Sequence, residues 1–136
     1  MAGYSGTPLA KKLGIKEGFL VGLANSPKGF VKELNDLPAD VKLLTEKLPK
    51  SIDLILLFVD SERNLIKYFP SMMRKIPSNG TLWVAWPKKS SGIETDLSFD
   101  KVQKFGLAEG LVDVKICAVN EIWSGLKFVY RLKDRK

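Results

Sequence analysis

The stretch Ile52-Asp53-Leu54-Ile55-Leu56-Leu57-Phe58-Val59 constrains this chain more than any other. From Leu54 to Val59 every residue is apolar, with none of the alternation that a strand with one wet face would show. A run of that kind is a strand covered on both sides, as in the middle of a parallel sheet with helices on each face. It is expected at the centre of the sheet. It is also far shorter than the roughly 20 residues needed to cross a bilayer, and no longer apolar run exists in the chain.

Elements alternate on either side of this strand. Thr7-Pro8 reads as an N-cap followed by proline at the first helical position, opening a short helix through Leu13 that Gly14 stops. The turn residues Gly3-Tyr4-Ser5-Gly6 precede it. Gly18 to Leu23 reads as a buried strand, and Asn25-Ser26-Pro27 as a turn opening a short helix through Leu34. A weaker strand, Val41 to Thr45, follows the Leu37-Pro38-Ala39-Asp40 turn. Beyond the central strand, Asp60 or Ser61 can cap a helix carrying Leu65, Phe69, Met72 and Ile76 on one stripe, with Pro70 expected to kink or split it. Ser78-Asn79-Gly80 turns into a strand Thr81 to Trp86, ended by Pro87.

Asp96 or Ser98 then starts a helix with Val102, Phe105 and Ala108 on its inner side, stopped near Gly110. Leu111 to Val119 forms a long strand, Val112, Val114, Ile116 and Ala118 facing one way and Asp113, Lys115 and Cys117 the other. After a loop Asn120 to Gly125, Leu126 to Arg131 returns antiparallel. Strands alternating with helices and closed by a hairpin predict one α/β domain over residues 1–136. The expected architecture is a Rossmann-like, methyltransferase-like three-layer sandwich, mainly parallel with a C-terminal antiparallel hairpin. A chain of 136 residues with 45% hydrophobic content is long enough to bury such a core.

The residue inventory excludes whole classes of chemistry. The chain has no His and one Cys, so imidazole catalysis, zinc sites and Cys-His pairs are out of reach. Cys117 cannot form an internal disulfide, and no charged-then-apolar leader opens the chain at Met1, so the expected location is the cytoplasm. The formal charge is +7. Residues 1–50 carry 8 basic and 5 acidic side chains, residues 51–100 carry 6 and 6, and residues 101–136 carry 8 and 4. The excess sits at the two ends. Solvated ends account for it, and no recognition helix, aromatic ribonucleoprotein motif or zinc module accompanies it, so nucleic acid is not the expected partner.

Four segments at predicted strand ends are candidate ligand sites, because ligands of open parallel sheets settle beyond the carboxyl ends of the strands. Asn25 and Ser26 occupy the place of a phosphate-cradling loop but lack the G-x-G-x-x-G spacing, and Pro27 removes an amide that an anion would need. Glu46 stands where related folds hold a ribose hydroxyl, although a solvated glutamate beside Lys47 is the favoured reading. Asp60 ends the central strand, where capping also accounts for it. In Trp86-Pro87-Lys88-Lys89-Ser90-Ser91 an aromatic ring, two cations and two hydroxyls meet, suited to an anion or a stacked ring; the plainer reading packs Trp86 into the core and leaves the lysines solvated. Ser124 has no base near it in sequence, and Asp96 and Asp100 have no third ligand, so neither a nucleophile nor a metal site is expected.

Four blocks carry a resemblance that spans the chain. They are Gly3-Tyr4-Ser5-Gly6-Thr7-Pro8-Leu9, Leu82-Trp83-Val84-Ala85-Trp86-Pro87-Lys88-Lys89, Gly110-Leu111-Val112-Asp113-Val114-Lys115-Ile116-Cys117-Ala118-Val119 and Trp123-Ser124-Gly125-Leu126-Lys127. Together they resemble the bacterial family called domain of unknown function 3052. That resemblance implies no reaction, cofactor or catalytic residue to carry onto these positions.

With the glycine loop absent and the sheet kept, the leading expectation is a ligand-binding or protein-interaction module with no cofactor, taking a small molecule or a protein. If the chain self-associates, an exposed face of the terminal hairpin with Trp123 is the expected contact. The alternative is a degenerate nucleotide- or S-adenosylmethionine-binding enzyme, with Lys88, Lys89 or Asp60 near the reacting group. A third reading is salt-sensitive nucleic-acid association through the basic ends.

Overall fold

The structure is a computed structural model that describes residues 7–135, so the turn expected over residues 3–6 lies outside the described residues. Six strands form one sheet: β1 (Leu20–Ala24), β2 (Lys42–Leu44), β3 (Leu54–Phe58), β4 (Thr81–Pro87), β5 (Leu111–Ala118) and β6 (Trp123–Tyr130), in the order β2-β1-β3-β4-β6-β5. The first four run parallel, and β6 lies antiparallel between β4 and β5. Three α-helices accompany them: α1 (Leu9–Leu13), α2 (Glu62–Met73) and α3 (Phe99–Glu109). The expected Rossmann-like architecture with its antiparallel C-terminal pair is what the chain adopts. No described helix is long and apolar enough to cross a membrane.

β3 lies inside the sheet and is buried along its whole length. Ile55 and Leu57 point to one side, where Leu65 and Phe69 of α2 and Val102 of α3 meet Leu82, Val84, Leu126 and Phe128. Leu54, Leu56 and Phe58 point to the other, where Ala10 and Leu13 of α1 pack with Phe30, Leu34 and Trp83. Trp83 joins the layers with its polar edge as well as its ring, its indole Nε1 donating to Leu13 O at 2.9 Å. The second layer is thin. Where a helix through Leu34 is expected after Pro27, a single 3-10 turn forms instead (Phe30–Glu33).

Several local expectations need correction. Pro70 neither splits nor ends α2, which continues unbroken to Met73. The carbonyl left without an amide partner belongs to Ile66, on the exposed face of the helix, where water can satisfy it. Ser61 is the cap of α2, accepting from Asn64 N at 3.1 Å, and Ser98 is the cap of α3. Asp96 serves the other helix, its Oδ1 accepting from Glu62 N at 2.8 Å. The inner face of α3 carries Val102 and Gly106 rather than Ala108, because the ring of Phe128 occupies the space over Gly106.

The terminal pair departs furthest from simple alternation. A bulge between Asp113 and Lys115 leaves Val114 unpaired, so side chains beyond it change sides. Asp113 pairs with Phe128 and meets Gln103 Nε2 at 3.1 Å, whereas Lys115 pairs with Lys127 on the opposite face. Val114 and Ile116 are 54% and 53% exposed on this edge strand instead of joining the core. β6 begins at Trp123, three residues before the expected start, because Trp123-Ser124-Gly125 pairs with Pro87-Trp86-Ala85. Gly125 serves close packing there: a Cβ would lie 2.9 Å from Val119 Cγ2 and 3.2 Å from Trp83 Cε3.

Candidate functional site

The chain leaves β1 towards β2 on one side and leaves β3 towards β4 on the other. Diverging connections at neighbouring parallel strands open a crevice at their carboxyl ends. Here that crevice is a cavity of about 250 Å³ between the ends of β1 and β3. β1 supplies Asn25 in a left-handed conformation (φ 58), which asparagine tolerates better than most residues. Its Nδ2 comes within 3.5 Å of Phe58 O. β3 ends at Phe58 and the chain runs on through Val59 and Asp60, while the first turns of α2 add Asn64 and Tyr68.

The polar groups are held in place by one another. Asp60 Oδ1 accepts from Asn64 Nδ2 at 2.9 Å, and Asp60 O accepts from Thr95 Oγ1 at 2.6 Å. Asp60 therefore positions α2 without being its cap, and its carboxylate keeps further acceptor sites. The floor is aromatic. Phe58 lies edge-on to Phe30 at 4.8 Å and to Trp123 at 5.0 Å, so Trp123 is turned onto the sheet and into this cavity's wall.

Asp60 also borders a second hollow of about 410 Å³ lined by Ser61, Glu94, Thr95 and Asp96. Ser61, Thr95 and Asp96 are occupied with helix caps and turns, Thr95 Oγ1 also accepting from Leu97 N at 3.1 Å. Among the described residues no group of His, Cys, Asp and Glu is placed to hold a metal ion.

A third hollow, also about 410 Å³, lies at the end of β4 against the start of α3. Trp86, Lys88 and Lys89 line it together with Phe99, Ile116 and Ser124. Trp86 is only 5% exposed and belongs to the core, so its ring is not free to serve as a stacking platform. Lys88 N donates to Ile122 O at 2.8 Å, and Ser91 Oγ donates to Lys88 O at 2.6 Å, closing the turn after the strand.

The residues singled out in sequence thus fall into groups. Asn25 and Asp60 meet at the crevice, Trp86, Lys88 and Lys89 line the third hollow, and Ser26, Glu46 and Ser90 line none of the three. Glu46 is exposed two residues past the end of β2. Asn64 and Tyr68 carry a legible signal, four residues apart and four from Asp60, which puts them on one helical face beside the core stripe. Trp123 has no such signal, since the register of β6 alone brings it there.

Among the described residues two ionisable groups have shifted pKa values, both on the α1 side of β5 and β6. Burial pushes the Cys117 thiol up, against the opposing pull of Lys12, Lys115 and Lys88. Burial also pushes Lys127 down, assisted by Lys115 and Lys16. Neither residue lines the crevice.

No protein-family model and no curated protein matches this sequence. Solved structures do. A precorrin-6y C5,15-methyltransferase from Geobacter metallireducens is similar with a TM-score of 0.65 and 9% identity, over 90% of this chain and 86% of that one. A ribosomal protein L11 methylase from Lactobacillus delbrueckii subsp. bulgaricus matches with a TM-score of 0.62 and 11% identity, over 90% and 75% of the two chains. An Aeropyrum pernix fibrillarin with natively bound S-adenosyl-L-methionine gives 0.59 and 11%, over 93% and 70%. The shared feature is the fold, which is that of S-adenosylmethionine-dependent methyltransferases. This overturns the expectation of a ligand-binding or interaction module as the leading reading and favours its alternative.

The crevice suits such a cofactor in kind. S-adenosylmethionine carries no phosphate, so it does not require the phosphate-cradling part of the glycine loop's role, which a dinucleotide does. What it needs is amide and carboxylate partners for its amino-acid end and ribose, and aromatic or anionic neighbours for its sulfonium. Asn25, Asp60, Asn64, Tyr68 and Trp123 supply those groups at one place.

Proposed function

We propose that this chain binds S-adenosylmethionine across the carboxyl ends of β1, β2 and β3 and acts as a methyltransferase-type domain. The observation that carries the reading is the convergence of Asn25 and Asp60 at the β1–β3 crevice of a methyltransferase-like sheet. A 250 Å³ hollow accommodates one end of the cofactor rather than all of it, since sites for whole ligands of that size run from about 300 Å³ upward. In this reading the amino-acid end lies against Asn25, Asp60 and Asn64. The nucleoside then extends over the open ends of β1 and β2 towards Glu46, whose carboxylate accepts from ribose hydroxyls.

When bound, the cofactor supplies an electrophilic methyl group on sulfur. The chain's own residues bind and orient. Asp60, steadied by Asn64, and the faces of Tyr68 and Trp123 favour a cation at the crevice. Phe58 and Trp123 keep water from one side of it. The neighbouring hollow, with apolar walls, the cations Lys88 and Lys89 and the carboxylate of Asp100, is where a methyl acceptor would rest.

Thermal unfolding with a ligand panel tests this. S-adenosylhomocysteine at a hundredfold over its Kd should add about 2.7 kcal/mol, or about 8 °C in midpoint, while NAD leaves the midpoint unchanged. The Asp60→Asn variant should lose most of the shift. Equal shifts with both ligands, or none with either at millimolar concentration, would contradict the proposal.

A further inference from the structure

At the opposite end of the sheet a hollow of about 510 Å³ is lined by Lys50, Ser71, Arg74, Lys75 and Tyr130. It lies where α2 ends and β3 begins, so the length of β3 separates it from the crevice, roughly 17 Å for five residues of strand. Three cations face one concavity and no carboxylate lines it.

Two of the lining residues are fixed. Lys75 Nζ donates to Leu48 O at 2.8 Å, and the Lys75 carbonyl accepts from Ile52 N at 2.8 Å. That ammonium keeps two further N–H groups to offer. Tyr130 OH donates to Met73 O at 3.2 Å, which sets the wall. Arg135 Nε donates to Tyr130 O at 2.9 Å and brings a fourth cation to the neighbourhood of the rim.

The ordinary explanation of cations here is compensation of the dipole at the end of α2. It covers Arg74 and Lys75, which follow Met73 directly. It leaves Lys50 unexplained, because that residue arrives from the loop ahead of β3, through the left-handed Ser51 (φ 64), to stand beside two like charges. Like charges gathered on one hollow repel unless an anion joins them.

We infer that this hollow binds the phosphate group of an anionic ligand. A guanidinium fork, two ammonium groups and the Ser71 hydroxyl provide the charge-assisted donors that phosphate oxygens take. The inference is independent of the methyltransferase reading. Its ligand is either a soluble diphosphate or the backbone of a nucleic acid, which share this chemistry.

The test titrates the full chain with pyrophosphate by calorimetry, and with a fluorescent single-stranded RNA by anisotropy at two salt concentrations. The double variant Lys50→Glu/Arg74→Glu changes two exposed residues and should keep its circular dichroism and thermal midpoint while weakening binding at least about tenfold. Lys50→Arg/Arg74→Lys should retain it. RNA binding that pyrophosphate displaces and that falls steeply with salt identifies the backbone as source; pyrophosphate binding alone identifies a small ligand. Absence of binding to both probes by the unmodified chain, or charge reversal that changes affinity by less than about twofold, would overturn the inference. S-adenosylhomocysteine binding by the same double variant should be unchanged, so the two sites fail separately.

Discussion

Lys127 is where the chemistry of a single residue runs against the fold. It stands directly across from Lys115 in the β5–β6 ladder, and a like pair in that position is destabilising. Its ammonium is also partly withdrawn from water, and burial, Lys115 and Lys16 together hold its pKa below the ordinary lysine value. Between the lowered and the ordinary value the unfolded chain binds more protons than the folded one, so stability rises with pH through that window. Below the folded pKa the penalty is present in full. Replacing Lys127 by Met should therefore raise the denaturant midpoint at neutral pH, with the gain shrinking as pH climbs into the alkaline range. Urea titrations of both proteins at several pH values check this, and a pH-independent difference, or a loss at neutral pH, would contradict it. The sequence shows the two lysines but not their encounter. Strict alternation places Lys115 beside Asp113, and only the bulge at Val114 turns it to face Lys127.

Among the elements, the packing of α3 on β6 rests on one missing side chain. At Gly106 a Cβ would collide with Phe128 Cε1, on a ring that is fully buried and edge-on to Phe69 at 5.5 Å. The ring cannot retreat without displacing the core around Phe69 and Val102. Gly106→Ala, which in an exposed helix would stabilise, should here cost about 1–3 kcal/mol through overpacking, read as a lower urea midpoint with an unchanged slope. A neutral or stabilising result would mean that α3 can shift along the sheet. Elements were legible in sequence where burial alone dictates them. The unbroken apolar run of β3, and Leu65 and Phe69 of the α2 stripe, needed no partner to be read, whereas the helix ends at Met73, so Ile76 is buried beyond it and not on its stripe. They were not legible where a neighbour decides: Gly106 is small because of Phe128, and β6 starts early because β4 extends to Pro87.

For the molecule as a whole, the strand order places a polar crevice at the β1–β3 divergence and a basic hollow at the far end of the same strand. The architecture followed from the alternation of elements, and two of the crevice residues, Asn25 and Asp60, from their places at strand ends. The rest of the site was out of reach because Trp123 comes from a hairpin more than sixty residues beyond Asp60, through pairing that no local pattern encodes. In the proposed reading the cofactor carries no phosphate, so the absence of a phosphate-cradling loop does not bear against it in the way it bears against a dinucleotide. In the proposed function the cofactor lies across this crevice, and a crystal structure of the chain grown with S-adenosylhomocysteine checks that placement. Expected is the amino-acid end of the ligand within hydrogen-bonding distance of Asn25 and Asp60, and the ribose turned towards Glu46. Ligand seated elsewhere on the molecule, or an empty crevice at saturating concentration, would contradict it.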